Sequence, residues 1–268
     1  MTTPDTIDFR IIGEDLQAVI VTLDPGEAVV AEAGAMMYMQ QGIEMGTQMS
    51  MKQGGGLLGK LFEAGKRALT GDSFFVTYFT NNYRERQDVA FAAPYPGRIV
   101  PVELGDYRGT LICQKDSFLC AARGVNVDIA FNRRIGTGLF GGEGFILQKL
   151  SSPSGRGQAF LHAGGTILTQ TLRAGEVLRV DTGCLVAFEP SVDYDIQMVP
   201  GFKNMLFGGE GLFFAQMTGP GTVWLQTLPF SRLADRIHAA SPAAGGRRRD
   251  EGSVLGGLGG LLDGDNRY

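Results

Sequence analysis

Apolar and polar residues along most of this chain alternate in short runs with a period of two, broken by glycine, proline and asparagine. The alternation is plainest in Val177-Leu178-Arg179-Val180-Asp181 and in Val192-Asp193-Tyr194-Asp195-Ile196. A period of two sends successive side chains to opposite faces, so these runs predict short strands. Helical spacing is predicted in few places. One is Gly54 to Leu69, where Leu57, Leu58, Leu61, Phe62 and Leu69 follow a helical stripe and Lys60, Lys66 and Arg67 take other positions. Another follows Ser231, placed to cap a short helix running through Ile237 and His238. A weaker stripe, Val254, Leu255, Leu258, Leu261 and Leu262, lies in a glycine-rich, charged segment expected to be a flexible tail, residues 239–268. Each glycine there costs a helix about 1 kcal/mol.

The strand-like runs recur in order. Leu139-Phe140-Gly141-Gly142-Glu143-Gly144 returns as Leu206-Phe207-Gly208-Gly209-Glu210-Gly211, with a weaker version around Gly71-Asp72-Ser73-Phe74. Upstream, Thr22-Leu23-Asp24-Pro25-Gly26-Glu27 matches Thr171-Leu172-Arg173-Ala174-Gly175-Glu176, and Gly34 and Gly183 follow at the same offset. The middle version starts near Glu103-Leu104-Gly105-Asp106. Recurrence at this period predicts three diverged copies of one unit, roughly residues 7–96, 97–165 and 166–230, within one domain spanning 1–238. The expected fold is all-β: three repeated antiparallel-sheet units packed about a pseudo-threefold axis, sandwich- or prism-like, with apolar faces around a shared interior and a short C-terminal helix. Two separate sandwiches are the alternative, disfavoured because no Pro/Ser-rich linker interrupts residues 97–230.

Composition narrows the function. A net charge of −4 argues against broad electrostatic binding, so no nucleic-acid partner is expected. Cys113, Cys120 and Cys184 lack metal-ligand spacing and sit in apolar runs, as reduced buried cysteines do. Residues Met1 to Arg10 lack the apolar run of a signal peptide. No stretch reaches the about 18 apolar residues of a spanning helix. The expected place is the cytoplasm, peripheral at the inner face of the membrane if the Gly54–Leu69 segment docks there.

Motifs for chemistry fail on inspection. Gly54 to Lys60 resembles the start of a phosphate loop, but Leu61 stands where a magnesium-binding hydroxyl is required. Gly136-Thr137-Gly138-Leu139-Phe140-Gly141 fits a dinucleotide fingerprint by letter, yet a strand-like run follows it and no acid occurs between Glu143 and Glu176. Histidine occurs only at His162 and His238, too few for a typical zinc site, and His162 reads as a satisfied strand residue. No nucleophile elbow is present. Asp72, Glu143 and Glu210 read as turn acids bonded to local amides; a convergent carboxylate ring is the alternative. Asp193 and Asp195 read as a solvated strand face, and Met37, Met39 and Met45 as core filler. No catalytic residue, metal or cofactor is expected. Leu57, Leu58, Lys60, Leu61, Phe62, Lys66 and Arg67 are the candidate interaction residues, for a membrane surface or a protein partner.

Several segments also resemble a known family. Gly26-Glu27, Ala31-Glu32-Ala33-Gly34-Ala35-Met36, the Gly71-Asp72-Ser73-Phe74-Phe75 turn and both LFGGEG segments look like the altered inheritance of mitochondria protein 24 family. So do Asp181 to Phe188 and Gly219 to Thr227, and the similarity covers about Ile7 to Ile237. The resemblance implies a fold classed with the tryptophan RNA-binding attenuation protein and a tendency to form rings or small oligomers. It links the chain to relatives associated with mitochondrial inner-membrane organisation and carries over no catalytic residue. The resulting expectation is a non-enzymatic homo-oligomeric scaffold, a trimer being the candidate number. A small-ligand or metal-ion binding module is the alternative, with an enzyme ranked last.

Overall fold

The computed structural model describes residues 4–49, 75–133, 145–198 and 213–240. Its strands are β1 (Asp8–Ile12), β2 (Ala18–Leu23), β3 (Ala28–Ala31), β4 (Met36–Met39), β5 (Ile43–Met49), β6 (Phe75–Asn81) and β7 (Gln87–Ala92). Then come β8 (Gly97–Glu103), β9 (Thr110–Gln114), β10 (Phe118–Ala122), β11 (Asn126–Arg133), β12 (Phe145–Ser151) and β13 (Gln158–Gly164). The last are β14 (Ile167–Leu172), β15 (Val177–Asp181), β16 (Leu185–Phe188), β17 (Asp193–Met198), β18 (Phe213–Thr218) and β19 (Gly221–Gln226). They form four sheets, ordered β1-β2-β7-β4, β5-β6-β3-β10-β13-β8, β11-β12-β9-β16-β19-β14 and β15-β18-β17. Pairing between these strands is antiparallel, both in the β1–β2 hairpin and between strands far apart in sequence.

The buried residues separate into three clusters instead of the expected single interior. Val29 and Phe79 join Val19, Phe91 and Phe160 in the first. Val30, adjacent in sequence to Val29, faces the second, with Leu111, Leu150 and Leu161. Phe145, Leu185, Phe188 and Met217 belong to the third. Strands such as β3 (AVVA) and β10 (FLCAA) are therefore buried on both faces, and so carry no polar alternation. Their alanines and Cys120 keep neighbouring sheets close, where a larger residue would overpack.

The matched turns share one geometry. Glu27 N donates to the Asp24 carbonyl at 3.0 Å, and Asp24 N donates to Glu27 Oε2 at 2.8 Å. In the second turn Glu176 N donates to the Arg173 carbonyl at 3.0 Å and Arg173 N to Glu176 Oε2 at 2.9 Å. Gly26 (φ 86°) and Gly175 (φ 76°) take the left-handed backbone that glycine adopts without a Cβ clash.

Ahead of β1, Pro4 to Ile7 form a strap. Asp5 N donates to the Arg123 carbonyl, and Asp5 Oδ2 accepts from Ala28 N at 2.9 Å and pairs with Arg123 at 3.1 Å. Ile7 is buried, and its N–H donates to Gln158 Oε1 at 2.8 Å. The strands lie in a first compact unit ending at Ser231. A second unit begins at Arg232. Helix α1 spans Phe230–Ala240; it starts one residue before Ser231, which therefore sits in its first turn and not at its cap. No helix among the described residues is long and apolar enough to cross a membrane.

Candidate interaction surface

Strands β4, β10 and β16 share a local design. Each follows a 3₁₀ turn, Ala33–Ala35, Lys115–Ser117 or Thr182–Cys184. Each then shifts register at its second residue, between Met36 and Tyr38 against β7, Phe118 and Cys120 against β13, and Leu185 and Ala187 against β19. On their other edge, β10 pairs with β3 and β16 with β9. β4 has no strand on that edge among the described residues, and neither has β15 on its side away from β18.

Exposure follows from this difference. Met37 is 57 % exposed, whereas Leu119 and Val186, the second residues of β10 and β16, are 2 % and 0 %. Tyr38 and Met39 are exposed as well, while Cys120, Ala121, Ala187 and Phe188 are buried. At the other end Val177, which opens β15, is 50 % exposed, although Ala28 at the start of β3 is fully buried. Met37, Met39 and Met45 were expected in the core; all three are exposed. Their sequence shows a strand of apolar residues, but not whether a neighbour is present to cover it. Beside Met37 lies a groove of about 290 Å³ lined by Ile12, Leu16, Gln17, Ala18, Ala92 and Ala93 among others.

His162 lies in β13 and is buried, as a strand histidine can be, but it is not fully satisfied: Nδ1 has no hydrogen-bond partner. Desolvation holds its pKa down at about 4, opposed by a hydrogen bond to the Tyr95 backbone. The Tyr95 ring meets the imidazole edge-on at 4.5 Å. Gln226, also buried at the end of its strand, is satisfied at both ends of its amide. Oε1 accepts from Gly164 N and Nε2 donates to the Gly183 carbonyl, each at 2.8 Å. Cys113 and Cys120 are buried and burial pushes their thiols up, away from reactive thiolate; Cys184 is partly exposed. Among the described residues no three metal-ligating side chains gather.

The candidate contact residues Leu57, Leu58, Lys60, Leu61, Phe62, Lys66 and Arg67 lie outside the described residues. So do the acids Asp72, Glu143 and Glu210, the LFGGEG segments and the tail from residue 241. Asp193 and Asp195 are exposed on β17, as expected of a solvated face.

A family model described as "Mitochondrial biogenesis AIM24" matches residues 9–228. The chain belongs to the AIM24 family. An uncharacterised protein of Streptococcus pyogenes serotype M6 is 29 % identical over 225 residues, covering 84 % of this chain and 86 % of that one. The X-ray crystal structure of a structural-genomics target from Streptococcus pyogenes superposes with a TM-score of 0.67 at 23 % identity. That match covers 88 % of this chain and all of the other, and shows that the AIM24 chain shares its fold.

Proposed function

We propose that this AIM24 chain is a non-enzymatic, self-associating scaffold, built from three diverged six-stranded copies and joined head to tail through β15 of one chain and β4 of the next. The copies are β2–β7, β8–β13 and β14–β19. Sheet order supports this reading: β5-β6-β3 continues into β10-β13-β8 as β11-β12-β9 continues into β16-β19-β14. The observation that carries the assembly is the exposed Met37-Tyr38-Met39 edge, where β10 and β16 are covered by the copy before them. Unguarded apolar edges are disfavoured in monomers, because they recruit another strand.

The internal junctions set the register. Cys120 lies opposite Ala31 and Ala121 opposite Val30; Ala187 lies opposite Cys113 and Phe188 opposite Ile112. Counted from the 3₁₀ turns, Tyr38 would lie opposite Val180 and Met39 opposite Arg179. A like charge opposite Arg179 should repel. Native mass spectrometry and light scattering on Met39→Lys test this. Wild type is expected as an oligomer, with three chains as the expected number. Met39→Lys should dissociate, and adding Arg179→Glu should restore assembly. A strictly monomeric wild type, or a double variant no better than the single, overturns the reading.

We further propose that Gly54–Leu69 brings the scaffold to the inner face of a membrane, supported by the apolar stripe and the basic residues Lys60, Lys66 and Arg67. Deleting the segment should abolish flotation with anionic liposomes; unchanged flotation refutes the assignment.

A further inference from the structure

The groove beside Met37 contains Ala92, the first copy's equivalent of the position by which each later copy receives the one before it. Register equates Ala92, His162 and Gln226, since Phe91, Leu161 and Leu225 pair with the first residues of β4, β10 and β16. In the second copy, the position held by His162 is covered by Tyr95, from the connection that leaves the first copy. In the third, Gln226 accepts a hydrogen bond from Gly164, the last residue of β13, where the second copy ends. The ends of the copies also touch one another in series. Gly165 N donates to the Pro96 carbonyl, and Leu228 N donates to the Gly164 carbonyl. In the first copy the corresponding position is Ala92, on a groove bordered by the exposed Ile12, Leu16 and Met37.

We infer that this groove is the seat for Thr227 and Leu228 of a second copy of the chain, the segment by which its third copy ends. The inference rests on the head-to-tail reading and deepens it by naming the element that fills the apolar groove. Leu228 is the residue two beyond Gln226, as Gly164 is two beyond His162. An aliphatic side chain suits a groove lined by Ile12, Leu16, Met37 and three alanines, where a charge would be desolvated without a partner.

Paired cysteines test it in a Cys184→Ser background, which removes the partly exposed thiol. Ala92→Cys with Leu228→Cys reports the groove, and Tyr38→Cys with Val180→Cys reports the strand junction. Mild oxidation is expected to link chains through both pairs. If the Tyr38/Val180 pair links and the Ala92/Leu228 pair does not, the groove assignment is overturned and the junction stands. If neither links, both are overturned. As a second measurement, Leu228→Asp should raise the concentration at which the oligomer dissociates by at least about tenfold, with the circular dichroism spectrum unchanged. A folded Leu228→Asp variant that assembles like wild type overturns the seat.

Discussion

Leu119 and Met37 occupy matching places in β10 and β4 but differ in what surrounds them, and their truncations should separate accordingly. Leu119→Ala empties a site inside the first buried cluster and is expected to cost about 2–5 kcal/mol in denaturant unfolding. Met37→Ala should leave the isolated chain within about 0.5 kcal/mol of wild type while weakening assembly. His162 supplies a pH dependence. Its folded pKa, about 4, lies below the usual histidine value near 6.5, so the unfolded chain binds the extra proton in that window. Stability should therefore fall as pH drops from 6.5 toward 4, by up to about 1.4 kcal/mol per pH unit from this residue. Denaturation of wild type against His162→Gln across that range checks it: the variant's slope should be shallower, and equal slopes would refute the assignment. That His162 is a strand residue could be read from its apolar neighbours. Its empty Nδ1 could not. In the proposed copy matching, the amide that Gly164 offers Gln226 corresponds to Pro94, which has no N–H to offer.

At the scale of elements, the N-terminal strap joins parts distant in sequence. Asp5 holds Ala28 at the start of β3 and Arg123 just after β10, so it clamps the junction between these two paired strands. Asp5→Ala leaves the Ala28 amide without this acceptor and should destabilise the fold by about 1–3 kcal/mol, measured by urea unfolding. The match between the segments around Gly26 and Gly175 was legible from a glycine and an acid at fixed spacing, and the structure gives the two the same turn hydrogen bonds. The strap was not, since a run from Pro4 to Ile7 carries no local sign of partners more than a hundred residues away. The exposed methionines of β4 misled for a related reason. Period and polarity report a strand's faces, whereas the occupant of its edge is decided elsewhere in the chain or by another molecule.

For the whole molecule, the all-β class, the terminal helix and the family were legible, since each follows from local pattern or motif density. The division into three buried clusters was not, because it depends on β3 meeting β10 and β9 meeting β16 across long separations. A scaffold held by the proposed junction should melt at a temperature that rises with protein concentration, as mass action requires when only folded chains associate. A melting temperature independent of concentration in scanning calorimetry would speak against it. The free edges of β4 and β15 also differ from each other, which would give each proposed junction a direction. A chain spoiled at β15 but intact at β4 can still be accepted by a growing assembly, yet offers nothing to the following subunit. Mixed with wild type in small amounts, such a chain should poison the assembly out of proportion to its abundance, leaving truncated species where complete ones stood.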